Sequence, residues 1–256
     1  MPTVVIMQPT YLPWLGYFDL MDQSDIFVFL DSVQFDKRSW QQRNRIKSLQ
    51  GELLLTVPVL TKGRFDQKIC DAELDQTRNF QDTHFKTIKC NYSKARYFKN
   101  YIDNFEKFFY SKHRLLADLN IDLIAWLKDV LGIKAKLLRS SNLAVNGKKT
   151  ELLVDICKAV GADKYLSPAG SKDYIAETEI FLKNGVDLTY HDFTHPVYHQ
   201  MFGDFLSHFS IIDLLFNEGD ESLGIIRSGR RVEKEEECCQ NKAMLLLDVN
   251  KGMLRQ

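Results

Sequence analysis

The sequence predicts an α/β fold: a mostly parallel sheet with flanking helices, a β-hairpin insertion and a helical segment in the middle. Three observations carry this. The first 35 residues read as strand, helix, strand; from about 79 to 132 apolar residues recur every three or four positions; and from about 134 strands and helices alternate again.

Each element follows from its own pattern. "TVVIMQ" is continuous and β-branched, "LGYFDLMDQS" has room for a short helix, and "DIFVFLDSVQF" is a second buried run, so the pair is expected to be parallel with a right-handed crossover. "RNRIKSLQGELLLTVPV" reads as a hairpin turning at Gln50-Gly51. Tyr97, Tyr101, Phe105 and Phe108, then Leu115, Leu119, Leu123, Trp126, Leu127 and Val130, make two helical stripes of core-packing type, the second stopped by Gly132. "KAKLLRSSNL" and "KYLSP" are strands around the helix "KTELLVDICKAVGAD", "GVDLTYHDF" is a further strand, and "FLSHFSIIDLLFNEG" is a last helix closed by Gly219. Residues 1–220 are therefore expected to form a single α/β domain including a helical subdomain at about 79–132, with 221–256 as a charged, exposed C-terminal segment.

Composition narrows the function classes. With 45% hydrophobic and 27% charged residues, and 34 basic against 34 acidic side chains, the chain has an ordinary globular profile, and a neutral balance argues against a protein that coats nucleic acid. No signal-peptide pattern opens the sequence, and the longest apolar run, "LLLTVPVL", is far shorter than a membrane span. Five cysteines without CxxC spacing favour reduced thiols, so a cytoplasmic protein is expected. Walker A, G-x-S-x-G, H-E-x-x-H and G-x-G-x-x-G patterns are absent.

Three stretches carry chemistry. After the first strand, Gln8 leads into Tyr11, Trp14, Gly16 and Tyr17, where ligands bind in doubly wound sheets; these aromatics either cap the core or wall a pocket with hydroxyl and indole handles. After the second strand, Asp31, Gln34, Lys37, Arg38, Arg43 and Asn44 form a stretch in which five of the eleven residues 37–47 are basic. If extended, this piece sets Lys37, Arg43, Arg45 and Lys47 on one cationic face suited to a phosphorylated or carboxylated ligand; otherwise it is a solvated face. After "KYLS", Ser167, Gly170, Ser171 and Tyr174 could cradle an anion. His191, His195 and His199 recur every four residues, but Pro196 and the preceding alternation oppose a helical metal face. No metal site is expected, the sequence leaves any cofactor unknown, and His195 reads as a proton-transfer residue.

Taken together, "QPTYLPWLGYFDLM", "FVFLDSVQFDKRSWQQRNRIK", "LTVPV", "GADKYLSPAGSKDYI" and "HPVYHQMFGDFLSHFSIIDLLFNEG" strongly resemble the WbqC-like family of bacterial proteins, in that family's order, from Val4 to about Gly219. The family is named from O-antigen gene clusters. The resemblance implies a role in making or decorating surface polysaccharide, or a related amino-sugar metabolite, and it adds Tyr198 and Gln200 to the substrate-binding candidates. The expected activity is a transferase or ligase acting on a nucleotide-linked or other anionic sugar intermediate, with His195, Asp31 and Tyr17 as catalytic candidates. A non-catalytic sugar-nucleotide-binding or scaffold module is the alternative. "WLGY" is also similar in position to the signature of HxGH-type nucleotidylyltransferases, but Trp14 and Tyr17 replace both histidines, removing the imidazoles that would stabilise charge on a transferring phosphate.

Overall fold

The computed structural model describes residues 2–173, 175 and 178–231. Its strands are β1 (Thr3–Met7), β2 (Ile26–Phe29), β3 (Arg43–Ser48), β4 (Gly51–Thr56), β5 (Lys136–Arg139), β6 (Lys164–Ser167) and β7 (Asp187–Tyr190). Its α-helices are α1 (Leu15–Asp22), α2 (Phe80–Tyr92), α3 (Phe98–Phe109), α4 (Leu116–Leu131), α5 (Thr150–Ala159), α6 (Glu179–Lys183), α7 (Ile211–Glu218) and α8 (Ser222–Ser228).

β1 is the axis of the fold. Val4, Val5 and Ile6 are all buried, as a strand covered on both faces requires. Their alternation divides the core: Val5 joins Phe27, Phe29 and the middle helices, whereas Val4, Ile6 and Val28 join α5 and α6. The five-stranded sheet has the order β5-β2-β1-β6-β7, with every pairing parallel. The chain moves outward from β1 to β5 and then resumes on the other side at β6. The direction therefore reverses between β1 and β6, where the loops leaving the two strands diverge and open a crevice.

The hairpin β3–β4 is a separate antiparallel pair running from Arg43–Thr56 to Ser48–Gly51, so the turn is Leu49-Gln50 with Gly51 at φ 101° immediately after it. The basic stretch is only partly extended. Residues 37–42 form turns rather than a strand, so Lys37 does not share a cationic face with Arg43 and Arg45.

The helical segment shares the core of the sheet. Phe98, Ile102, Phe105 and Phe109 form the buried stripe of α3, and Phe105 packs within 5.7 Å of Trp126 and 6.1 Å of Phe216. Each such ring contributes on the order of 1.5–3 kcal/mol by leaving water. α4 buries Leu116, Leu119, Leu123 and Leu127 and ends at Gly132, whose φ of 76° closes the helix in the left-handed conformation.

Two boundaries differ from expectation. The last long helix starts at Ile211 rather than Phe205, because Ser210 caps it by accepting from the Ile212 N–H; the preceding loop holds Phe202 and His208 at positive φ. Past residue 220 the chain does not leave the body at once. α8 packs on α1, where Arg227 grips Asp22 through two bonds of 2.8 Å, and Arg230 reaches Asp19 at 2.6 Å. The rest of the charged segment, from Val232, lies outside the described residues. No helix among the described residues is long and apolar enough to cross a membrane.

Candidate functional site

Two adjoining cavities open beyond the carboxyl end of β1, and the second of them reaches the turn after β6. The first, about 350 Å³, is lined by Met7, Thr10, Pro13, Trp14, Tyr17, Trp40, Asn44, Arg45 and His208. The second, about 430 Å³, is lined by residues including Gln8, Ser39, Gln41, Gly170 and Ser171. Met7, Thr10 and Trp40 border both, so the two form one crevice with Trp40 between its halves. Volumes in this range suit small-molecule ligands.

Trp14 forms one wall. Its indole lies over Gly16, where an added Cβ would meet ring atoms at 2.3–2.8 Å, so the glycine is needed for the ring to lie there. Trp14 stacks on His208 at 5.0 Å and on His195 at 6.1 Å, and the two imidazoles are 5.0 Å apart. Gly16→Ala should displace this wall. The expected result is at least a tenfold loss of ligand affinity, about 1.4 kcal/mol, with a cooperative melt retained. Unchanged affinity would show that the Trp14 ring does not touch the ligand.

His195 has a defined tautomer. It borders neither cavity; its Nδ1–H donates to the Pro196 carbonyl at 2.8 Å, leaving Nε2 as a buried acceptor with no hydrogen-bond partner among the described residues. Burial pushes its pKa below the usual histidine value, and nearby His208 lowers it further. The His208 pKa is also lowered, by burial and then by Arg45. Both imidazoles are thus biased to the neutral form.

The cations separate into three groups. Lys37 and Arg38 are exposed on the turn before β3, and Gln34, also exposed, donates to the Phe65 carbonyl. Arg43 and Arg45 place their guanidinium groups over Trp40, at 5.8 and 5.1 Å from its ring centre. Arg45 lines the first cavity and pairs with Glu52 at 3.0 Å; Arg43 borders neither cavity, and its buried Nε has no partner among the described residues. Lys47 is buried, with Nζ donating to Gln200 at 3.1 Å and to the Asp204 carbonyl. It is part of the core rather than of a cationic surface.

Several candidates hold the crevice in shape. Asn44 donates to the carbonyls of Tyr11 and Leu12, fixing a turn in which Leu12 has φ 45°. Tyr17 donates to the Gln8 carbonyl at 3.2 Å, and Gln8 Oε1 accepts from Gln41 at 2.9 Å. Burial raises the Tyr17 pKa well above the usual phenol value. Tyr11 lies in the core, its hydroxyl 2.9 Å from His84 Nδ1, and borders neither cavity. Tyr198 and Gln200 both hydrogen bond Asp213, which also accepts from Tyr92; this buried network ties α7 to the hairpin through Lys47. Ser167 and Ser171 share a hydroxyl contact of 2.5 Å at the start of the turn after β6. Tyr174 lies outside the described residues.

Asp31 is saturated. Its carboxylate accepts from the Ser140 hydroxyl at 3.1 Å, the Ser141 N–H at 2.9 Å, the Ser141 hydroxyl at 2.8 Å and Arg139 Nε at 2.7 Å. These fill about the four acceptor positions a carboxylate has.

The crevice sits on segments that a family model also matches. The model for the WbqC-like protein family covers residues 8–225. The chain belongs to this family. A curated relative, the "Uncharacterized protein Rv1507c" of Mycobacterium tuberculosis (strain ATCC 25618 / H37Rv), is 36% identical over 233 residues, covering 90% of this chain and all of that protein. No solved structure matches. The family match includes both sides of the crevice, from Gln8 through Arg45 and from Gly170 through His208.

Among the lining residues that were not sequence candidates are Thr10, Trp40, Gln41 and His208. Trp40 had a visible signal as the aromatic within the basic stretch. His208 had none, because the apolar period around it reads as helix, while the structure puts it in a loop at φ 63°. An exposed non-glycine residue held in that region is often a functional one.

Proposed function

We propose that this WbqC-like protein is a transferase or ligase acting in the cytoplasm on a nucleotide-linked or other anionic amino-sugar intermediate of bacterial surface-polysaccharide (O-antigen) biosynthesis. The observation that carries the reading is the two-part crevice between β1 and β6, with Trp14, Trp40 and Arg45 at one end and uncharged polar groups at the other. Aromatic walls with one cation suit a base or ring joined to phosphate. Arg45, supported by Arg43 across Trp40, neutralises the anion; Gln8 orients the substrate; Trp14, Trp40 and Tyr17 exclude water.

His195 is the proton-transfer candidate of this reading, although it borders neither cavity and its acceptor Nε2 is buried beside Trp14 and His208. Asp31 acts as a positioning residue that holds the turn after β5. That saturation also supports the alternative, a non-catalytic module that binds a sugar nucleotide, because it removes one of the acid/base candidates.

A thermal-shift screen against nucleoside diphosphates, sugar nucleotides, coenzyme A thioesters and amino acids tests both. A ligand at about 100 times its dissociation constant adds about 2.7 kcal/mol, and that shift should vanish in Arg45→Ala and weaken in Arg43→Ala. With the ligand known, His195→Ala should bind it normally and turn it over at least about 100-fold more slowly. Binding without turnover in the wild-type protein would leave the module reading.

A further inference from the structure

The two halves of the crevice differ in charge. Arg45 stands in the first, whereas among the described residues no Asp, Glu, Lys or Arg borders the second. The polar groups of the second are amides, hydroxyls and an indole. Most are already engaged: Gln41 Nε2 donates to Gln8 Oε1, Gln41 Oε1 accepts from the Asp36 N–H, and the Ser171 and Ser39 hydroxyls donate to the carbonyls of Pro168 and Asp36. Gln8 Nε2, the Thr10 hydroxyl and Trp40 Nε1 have no partner among the described residues. An anion placed there would lose its water without meeting a counter-charge, which is costly in a partly enclosed site. A neutral group rich in hydroxyls would instead pair with these donors and rest on Trp40, an aromatic surface 48% exposed.

We infer that the second cavity is a subsite for the neutral sugar ring of a two-part ligand, whose aromatic, anionic nucleotide half occupies the first. The inference rests on the sugar-nucleotide reading above and goes beyond it by giving the ligand a direction: phosphate toward Arg45, sugar toward Gln8 and Gly170. It reverses the expectation from sequence that the turn after β6 cradles an anion.

The test is calorimetric titration of the full chain with matched pairs: UDP and UDP-N-acetylglucosamine, dTDP and dTDP-glucose, GDP and GDP-mannose. For at least one pair the sugar-bearing member should bind about tenfold or more tighter, a difference of about 1.4 kcal/mol. Gln8→Ala removes the one free side-chain donor among the described residues that borders the second cavity and not the first, and should reduce that advantage to about threefold or less, while the bare diphosphate keeps its affinity. Arg45→Ala should weaken both members of the pair alike. A melt of each variant shows that it is folded, and Gln8→Leu, closer in size, serves if Gln8→Ala is not.

Equal binding of the bare and sugar-bearing forms, or an advantage that survives in the folded variant, would overturn the subsite while leaving nucleotide binding standing. Failure of every diphosphate, with or without sugar, would overturn the parent reading and the subsite with it.

Discussion

Asp31→Ala is expected to lower the unfolding free energy by about 3 kcal/mol, the low end of the range for removing one partner of a buried ion pair. Asp31 is fully buried and accepts four hydrogen bonds, and its loss would leave the Ser140 and Ser141 donors without their acceptor. Arg139 would keep Asp118 at 2.7 Å, which is why the low end applies. Denaturant unfolding of the purified variant measures this directly. A variant as stable as the wild type but without turnover would return Asp31 to the catalytic set.

The pH dependence of stability is expected to show His84. Burial holds its pKa at about 4 in the folded chain, against 6.5 in the unfolded one, although a hydrogen bond to the Thr56 backbone acts in the other direction. Between pH 6.5 and 4 the unfolded chain therefore binds a proton that the folded chain does not. Stability present above pH 6.5 is lost as the pH falls through this window, by up to about 3 kcal/mol. His195 and His208, also lowered, add to the same slope; Asp213, raised by burial, opposes it at the acid end. His84→Gln, which can keep a hydrogen bond to Tyr11, isolates the one contribution. Unfolding curves at pH 7 and pH 4.5 should draw together in the variant, and an unchanged pH difference would assign the loss to other groups.

Much of the fold is legible because its determinants are local. The β-branched run at Val4–Ile6, the apolar period of α3 and the stop at Gly132 each depend on residues within a few positions of one another, although the buried stripe of α3 is Phe98, Ile102, Phe105 and Phe109 rather than the expected Tyr97, Tyr101, Phe105 and Phe108. The site was partly legible for the same reason. Trp14, Gly16 and Tyr17 follow the first strand, and their place beyond its carboxyl end is where a doubly wound sheet binds ligands. What misled was charge read without burial. Lys47 and Arg45 are both basic and two residues apart in one strand, yet one lies inside a polar network with Gln200 and the other lines the cavity.

The sequence by itself determined the α/β class, the family, the hairpin, the middle helices and the strand ends around which a site would be built. Only the tertiary structure decided which polar side chains are available to a ligand. Asp31, Tyr198 and Gln200 are committed to partners as distant as positions 139–141 for Asp31, and Asn44, though it borders the crevice, donates its amide to the Tyr11 and Leu12 carbonyls, whereas Gln8, Trp40, Arg45 and His208 meet at that crevice. The physical reason is that a buried polar group must be paired, and which partners reach it depends on long-range packing that no local pattern encodes.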